Sequence, residues 1–68
     1  MKLTIELDRE EDGRWIAEIP ELGVLLYGES RQDAVSRAQV AARQILQDRI
    51  AHHELPPDSL NATFDIAA

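Results

Sequence analysis

The segment between Ser30 and the Pro56-Pro57 pair fixes most of what this chain can become. At about 100° per residue, Ala34, Ala38, Ala41 and Ile45 fall on one stripe, and Val35, Ala42, Leu46 and Ile50 on a second beside it. Ser30 is a good N-cap, and Asp33 sits where the acid of a capping box reaches back. Pro56-Pro57 cannot continue a helix, so the helix is predicted to run from Ser30 to a stop near His52. Arg31, Ser36, Arg37, Arg43, Gln44 and Gln47 point away from the apolar stripes, leaving Val40 alone among them. One helix cannot bury its own broad apolar face and needs a sheet beneath it. The alanines let its axis sit close to that sheet but bury little area per turn, so the core is thin.

The rest of the chain supplies the sheet. In Lys2 to Asp8, Leu3, Ile5 and Leu7 alternate with polar residues, which predicts a strand with one wet face. Arg9 to Gly13 carries four charges and ends in Asp-Gly, a pair suited to a hairpin turn. Arg14 to Ile19 runs back with Trp15, Ala17 and Ile19 on one face and Arg14, Ile16 and Glu18 on the other, so the second face is not purely solvent. Pro20 ends this strand, Glu21-Leu22-Gly23 makes a corner, and Val24 to Tyr27 forms a third strand before Gly28. After the helix, Leu60, Ala62, Phe64 and Ile66 alternate with Asn61, Thr63 and Asp65 as a last, half-buried strand. The prediction is an α+β fold in the order β-β-β-α-β, a single domain over residues 1–68. Three strands form an antiparallel meander, the last lies parallel to the first in spatial order 3-2-1-4, and the helix packs on one face of the four-stranded sheet. Two sheet edges stay open, and an open edge is a pairing site.

The chain has 68 residues and no cysteine, so no disulfide staples a fold this small. Self-association as a dimer or tetramer is the predicted remedy. No apolar run is long enough to span a membrane and the N-terminus turns acidic at once, so neither a span nor a signal peptide is expected and a cytoplasmic location follows. Seven Lys and Arg stand against 13 Asp and Glu, a formal charge of −6. Nucleic-acid affinity comes mostly from basic side chains, so direct nucleic-acid binding is not expected. The acids are also segregated: residues 1–30 hold eight acids against three bases, whereas residues 31–51 hold four arginines against two aspartates. The meander is therefore the acidic part, a surface that steers association with a basic protein.

No residues assemble into a convincing catalytic or metal-binding motif. The acids Asp8, Glu10, Glu11 and Asp12 lack calcium-loop spacing, and His52-His53 diverge by about 100° on a helix where a metal pair needs i, i+4. Both histidines read instead as favourable partners of the helix C-terminus. Ser30, Ser36 and Ser59 are a cap, a surface position and a turn residue, and Gly13, Gly23 and Gly28 lie in separate turns. The expectation is a non-enzyme without cofactor or metal. The residues singled out for a protein partner are Glu6, Glu10, Glu11 and Glu18 on the meander. Trp15 is either a core or oligomer contact or an anchor facing that partner.

Asp12-Gly13-Arg14-Trp15-Ile16-Ala17-Glu18-Ile19-Pro20-Glu21-Leu22-Gly23-Val24, followed by Tyr27-Gly28-Glu29-Ser30 and Ala34, resembles the N-terminal domain of HicB-type antitoxins. The resemblance covers residues 3 to about 50, and the Pro56-Pro57 tail before a final strand is similar too. It implies a partial ribonuclease-H-like fold without nuclease residues, and an antitoxin of a type II toxin-antitoxin system. Such an antitoxin neutralises a small basic HicA-like toxin, an mRNA-cleaving ribonuclease, by direct binding. Two departures stand out. The proline usual between Leu22 and Gly23 is missing, which shortens the corner. The operator-binding segment that commonly follows in HicB proteins has no counterpart before Ala68, so no C-terminal DNA-binding domain is expected. The alternative is a stand-alone oligomeric binding or scaffold module of the same fold with no toxin partner.

Overall fold

The computed structural model describes residues 1–67, so Ala68, the last residue of the predicted domain, lies outside the described residues. Strand β1 spans Lys2–Arg9 and β2 spans Trp15–Ile19. A 3-10 turn over Pro20–Leu22 leads into β3 at Val24–Gly28. Helix α1 covers Arg31–Ala51, a second 3-10 turn covers Pro57–Leu60, and β4 runs over Thr63–Ala67. The sheet order is β3-β2-β1-β4. It is a mixed sheet: β1, β2 and β3 are antiparallel neighbours, and β4 lies parallel to β1 with Leu3 beside Phe64 and Ile5 beside Ile66.

The local chemistry explains each turn. At the first hairpin Gly13 donates to the Glu10 carbonyl at 3.0 Å, and Glu10 donates to the Arg14 carbonyl at 2.8 Å. Gly13 holds φ at +95°, the left-handed position that a three-residue hairpin loop demands of its last residue. Past β2, Pro20 pre-sets the backbone of the 3-10 turn and Gly23, at φ +67°, donates back to the Pro20 carbonyl. Ser30 caps α1 by accepting the Asp33 N–H at 3.0 Å. The Asp33 carboxylate reaches one residue further than in a capping box, taking the N–H of Glu29 at 3.0 Å.

The core is the layer between α1 and one face of the sheet. Leu3, Ile5 and Leu7 of β1 and Ala17 and Ile19 of β2 are buried against Ala34, Ala38, Ala42 and Leu46. The two helical stripes thus merge into a single buried i, i+4 line, with Ala41 and Ile45 half-buried at its flank. Three of the four helical core residues are alanine, which brings α1 very close to β3. A Cβ built on Gly28 would lie 2.6 Å from the Ala34 Cα, so only glycine fits at that crossing.

The last strand differs from its expected bounds. Leu60 belongs to the preceding 3-10 turn and is 41% exposed, and β4 starts at Thr63. Pro56 and Pro57 fix the backbone so that Ser59 donates to the Pro56 carbonyl and Asn61 to that of Asp58, each at 3.0 Å, and the chain turns before it extends. Because α1 lies chiefly over β3 and β2, the helix-side face of β4 is only partly covered, and Ile66 is 44% exposed.

Candidate partner-binding face

The sheet face opposite α1 is open, and its composition follows from the period of two along each strand. β1 places Lys2, Thr4, Glu6 and Asp8 there, β2 places Ile16 and Glu18, and β3 places Leu25 and Tyr27. The register sets these side chains in rows across the sheet: Asp8 beside Ile16 beside Tyr27, and Glu6 beside Glu18 beside Leu25. Two carboxylates, Glu6 and Glu18, therefore face each other directly across the β1–β2 ladder, and both are exposed. Among the described residues, no cation forms an ion pair with Glu6, Asp8, Glu10, Glu11 or Glu18.

The cations of this face are engaged elsewhere. Lys2 pairs with Asp65 at 3.0 Å, across from β1 to β4. Arg14 pairs with Asp12 at 2.9 Å and lays its guanidinium over the Tyr27 ring, 4.6 Å from the centroid. The N–H of Arg14 also donates to Asp12, and this backbone hydrogen bond is the main reason the Asp12 carboxyl is held below the usual aspartate range. Asp12 is thus committed to closing the turn, while Glu10 and Glu11 beside it form no ion pair among the described residues. The result is an acidic strip, Glu6, Glu18 and Asp8, running into the acidic hairpin end, with an apolar patch of Ile16, Leu25 and Tyr27 along one side.

Of the five residues singled out in the sequence, the structure brings Glu6 and Glu18 together and places Glu10 and Glu11 in the adjoining turn. Trp15 lies apart from them. Its odd position in β2 directs it to the helix side, where it is half-buried against the core and has the Arg9 guanidinium 5.9 Å from its ring centroid. Sequence reasoning missed Leu25 and Tyr27, which are 57% and 43% exposed on the open face. Every residue from Val24 to Tyr27 is apolar, so period two does not distinguish the buried from the exposed members of β3.

A further carboxylate has a structural task here. β2 gives way to Pro20 opposite Thr4, and the Thr4 N–H is taken instead by the Glu21 carboxylate at 3.1 and 3.2 Å. Hydrogen bonds from the backbone N–H of Glu21 itself and from Thr4 hold the Glu21 carboxyl below its usual range.

Among the described residues, no three His, Cys, Asp or Glu side chains lie close enough to hold a metal ion. Among them, too, no helix is long and apolar enough to cross a membrane. No family model, no curated protein and no solved structure matches this chain.

Proposed function

We propose that the chain is a protein-binding inhibitor of the HicB-like type, a cytoplasmic antitoxin that neutralises a small basic HicA-like ribonuclease by covering its RNA-binding surface. The observation that carries this reading is the uncompensated acidic strip. Like charges directly opposite on neighbouring strands destabilise a sheet, so the Glu6–Glu18 pair is a cost to the free protein that a cationic partner relieves. A surface that binds RNA phosphates is cationic, and rows of exposed carboxylates complement it. The chain itself does no chemistry in this reading, and Glu6, Glu18, Glu10 and Glu11 supply its charge.

The test is a search for a small basic reading frame beside the gene, then co-expression with its product, affinity capture and an RNA-cleavage assay. Stoichiometric capture and suppressed cleavage, both weakened in a Glu6→Lys, Glu18→Lys double variant, are the expected results. Uninhibited cleavage in the presence of the folded chain overturns the reading. A stand-alone oligomeric module is the second reading, favoured by the exposed Leu25 and Tyr27 on an edge strand. The absence of a basic reading frame beside the gene distinguishes it.

A further inference from the structure

The backbone of β3 shows which sheet edge is built for pairing. In an antiparallel ladder the N–H and C=O of one residue point to the same neighbouring strand, and the direction alternates along the chain. On β1 the N–H of Thr4 reaches Glu21 and that of Glu10 reaches Arg14, so its even-numbered residues face β2. Glu6 and Asp8 then bond Glu18 and Ile16, which turns the backbones of Trp15, Ala17 and Ile19 toward β3. Their partners Gly28, Leu26 and Val24 point back, leaving the backbones of Leu25 and Tyr27 directed at the open edge. These are also the residues whose side chains stand exposed on the outer face.

We infer that β3 pairs with β3 of a second copy of this chain, antiparallel about a two-fold axis at Leu26, so that Leu25 of each copy lies opposite Tyr27 of the other. This register uses every outward-facing backbone group of Leu25 and Tyr27 and turns two isolated apolar patches into one. The outer rows become Asp8, Ile16, Tyr27, then Leu25, Glu18 and Glu6 of the second copy. Charge separates this edge from the other. β3 is Val-Leu-Leu-Tyr-Gly, with no lysine, proline or acid to discourage pairing, whereas β4 carries the ion-paired Asp65 at its centre. An uncharged, self-complementary strand offers nothing selective to a charged peptide, and a second copy matches it residue for residue.

The helix flank completes the surface. A shallow depression at Tyr27 and Gly28 is bordered by Arg37 of α1, and further shallow depressions follow along the helix surface at Val40 and at Leu22. Val40, 53% exposed, lies on the side of α1 turned away from the sheet. A stable interface buries about 1,200–2,000 Å² in total, more than a five-residue ladder alone supplies, so the pairing also requires the flank of α1 beside β3 to meet its copy. The pairing leaves Glu6 and Glu18 uncovered, so the inference is independent of the ribonuclease reading.

Sedimentation equilibrium of the full chain at micromolar concentration should give twice the 7.7 kDa chain mass. Leu25→Lys should raise the dimer dissociation constant at least about tenfold while the far-ultraviolet circular dichroism stays native. Because the chain has no cysteine, Leu26→Cys is a clean register probe. At the axis the two Cα atoms of a non-hydrogen-bonded pair lie about 4.5 Å apart, within disulfide reach, so mild oxidation should give a covalent dimer that still sediments as a native dimer. Asp65→Cys on β4 should not cross-link. A monomer at the highest soluble concentration overturns the inference. So does a dimer that survives Leu25→Lys, a dimer that cross-links through Asp65→Cys instead, or a monomer whose β3 captures an added β3 peptide but never a second folded copy.

Discussion

Glu6 and Glu18 stand directly opposite each other on neighbouring antiparallel strands, on the exposed face of the sheet, with no cation paired to either among the described residues. A chain of this size has little stability to spare, with three alanines among its four helical core residues, yet it keeps a repulsive pair where a single change would make an attractive one. In the proposed reading a cationic partner offsets that cost. Replacing Glu18 by lysine should stabilise the free protein by about half a kcal/mol, seen as a higher urea midpoint at unchanged slope, because Glu6 gains an opposite charge. The same variant should bind a basic partner less tightly. A fall in stability would show that the pair is already compensated.

Gly28 should tolerate no side chain. Any Cβ there meets the backbone of Ala34 at the start of α1, and neither strand nor helix terminus can move without opening the core. Gly28→Ala should cost about 3 kcal/mol, enough to unfold a large fraction of so small a domain, as read by chemical denaturation. Unchanged stability would mean that β3 and α1 separate more readily than their packing implies.

The C-terminus of α1 ends with His53 at φ +60°. Its N–H donates to the Ile50 carbonyl at 3.0 Å while Glu54 donates to Arg49 at 2.8 Å, the paired bonds of a Schellman motif. Histidine pays a steric cost in that conformation that glycine does not. His53→Gly should therefore stabilise the fold by about 1 kcal/mol and raise Tm by about 4–8 °C. A lower Tm would place an interaction of the imidazole above the backbone preference.

Two helix-terminal groups set opposite pH dependences. The backbone carbonyl of Asp48, 2.7 Å from His52 Nδ1, and then the Asp48 carboxylate hold the imidazolium and raise the His52 pKa above its ordinary 6.5. That contribution is complete below 6.5 and is lost as pH rises through the elevated folded value. Asp33 is the reverse: the N–H of Glu29, and then Arg37, lower its pKa below 3.8, so its contribution is present above 3.8 and lost as pH falls through the depressed value. Urea midpoints across pH should show His52→Gln flattening the slope just above 6.5 and Asp33→Asn flattening the acid limb. Parallel curves for variant and parent would contradict these assignments.

The parts of this fold legible in the sequence are those dictated by near neighbours. Leu3, Ile5 and Leu7 alternate because one face of β1 is buried, and Ser30 with Asp33 marks the start of α1 because a helix N-terminus needs acceptors. The antiparallel order of three strands and the parallel return of β4 follow from connection lengths. What escaped the sequence depends on partners remote in the chain or on rare backbone states. Alternation through Leu60, Ala62, Phe64 and Ile66 carries on smoothly across a 3-10 turn and so hides it. The bond from Thr4 to Glu21 joins residues 17 apart, and no glycine flags the left-handed turn at His53. For the candidate face, the acids were visible as charges and alternation along β2 set Trp15 opposite Glu18, but that Glu6 meets Glu18 depends on the register of two strands.

The claim that the acidic strip is a docking face for a basic ribonuclease is tested most directly by titration calorimetry of the folded chain against that protein over a series of salt concentrations. A stoichiometric complex is expected, its affinity falling steeply with salt in the parent. In the Glu6→Gln, Glu18→Gln variant the complex should be weaker and the salt slope shallower. Binding of equal strength and equal salt dependence in parent and variant would contradict it, because the two facing carboxylates would then take no part in the contact.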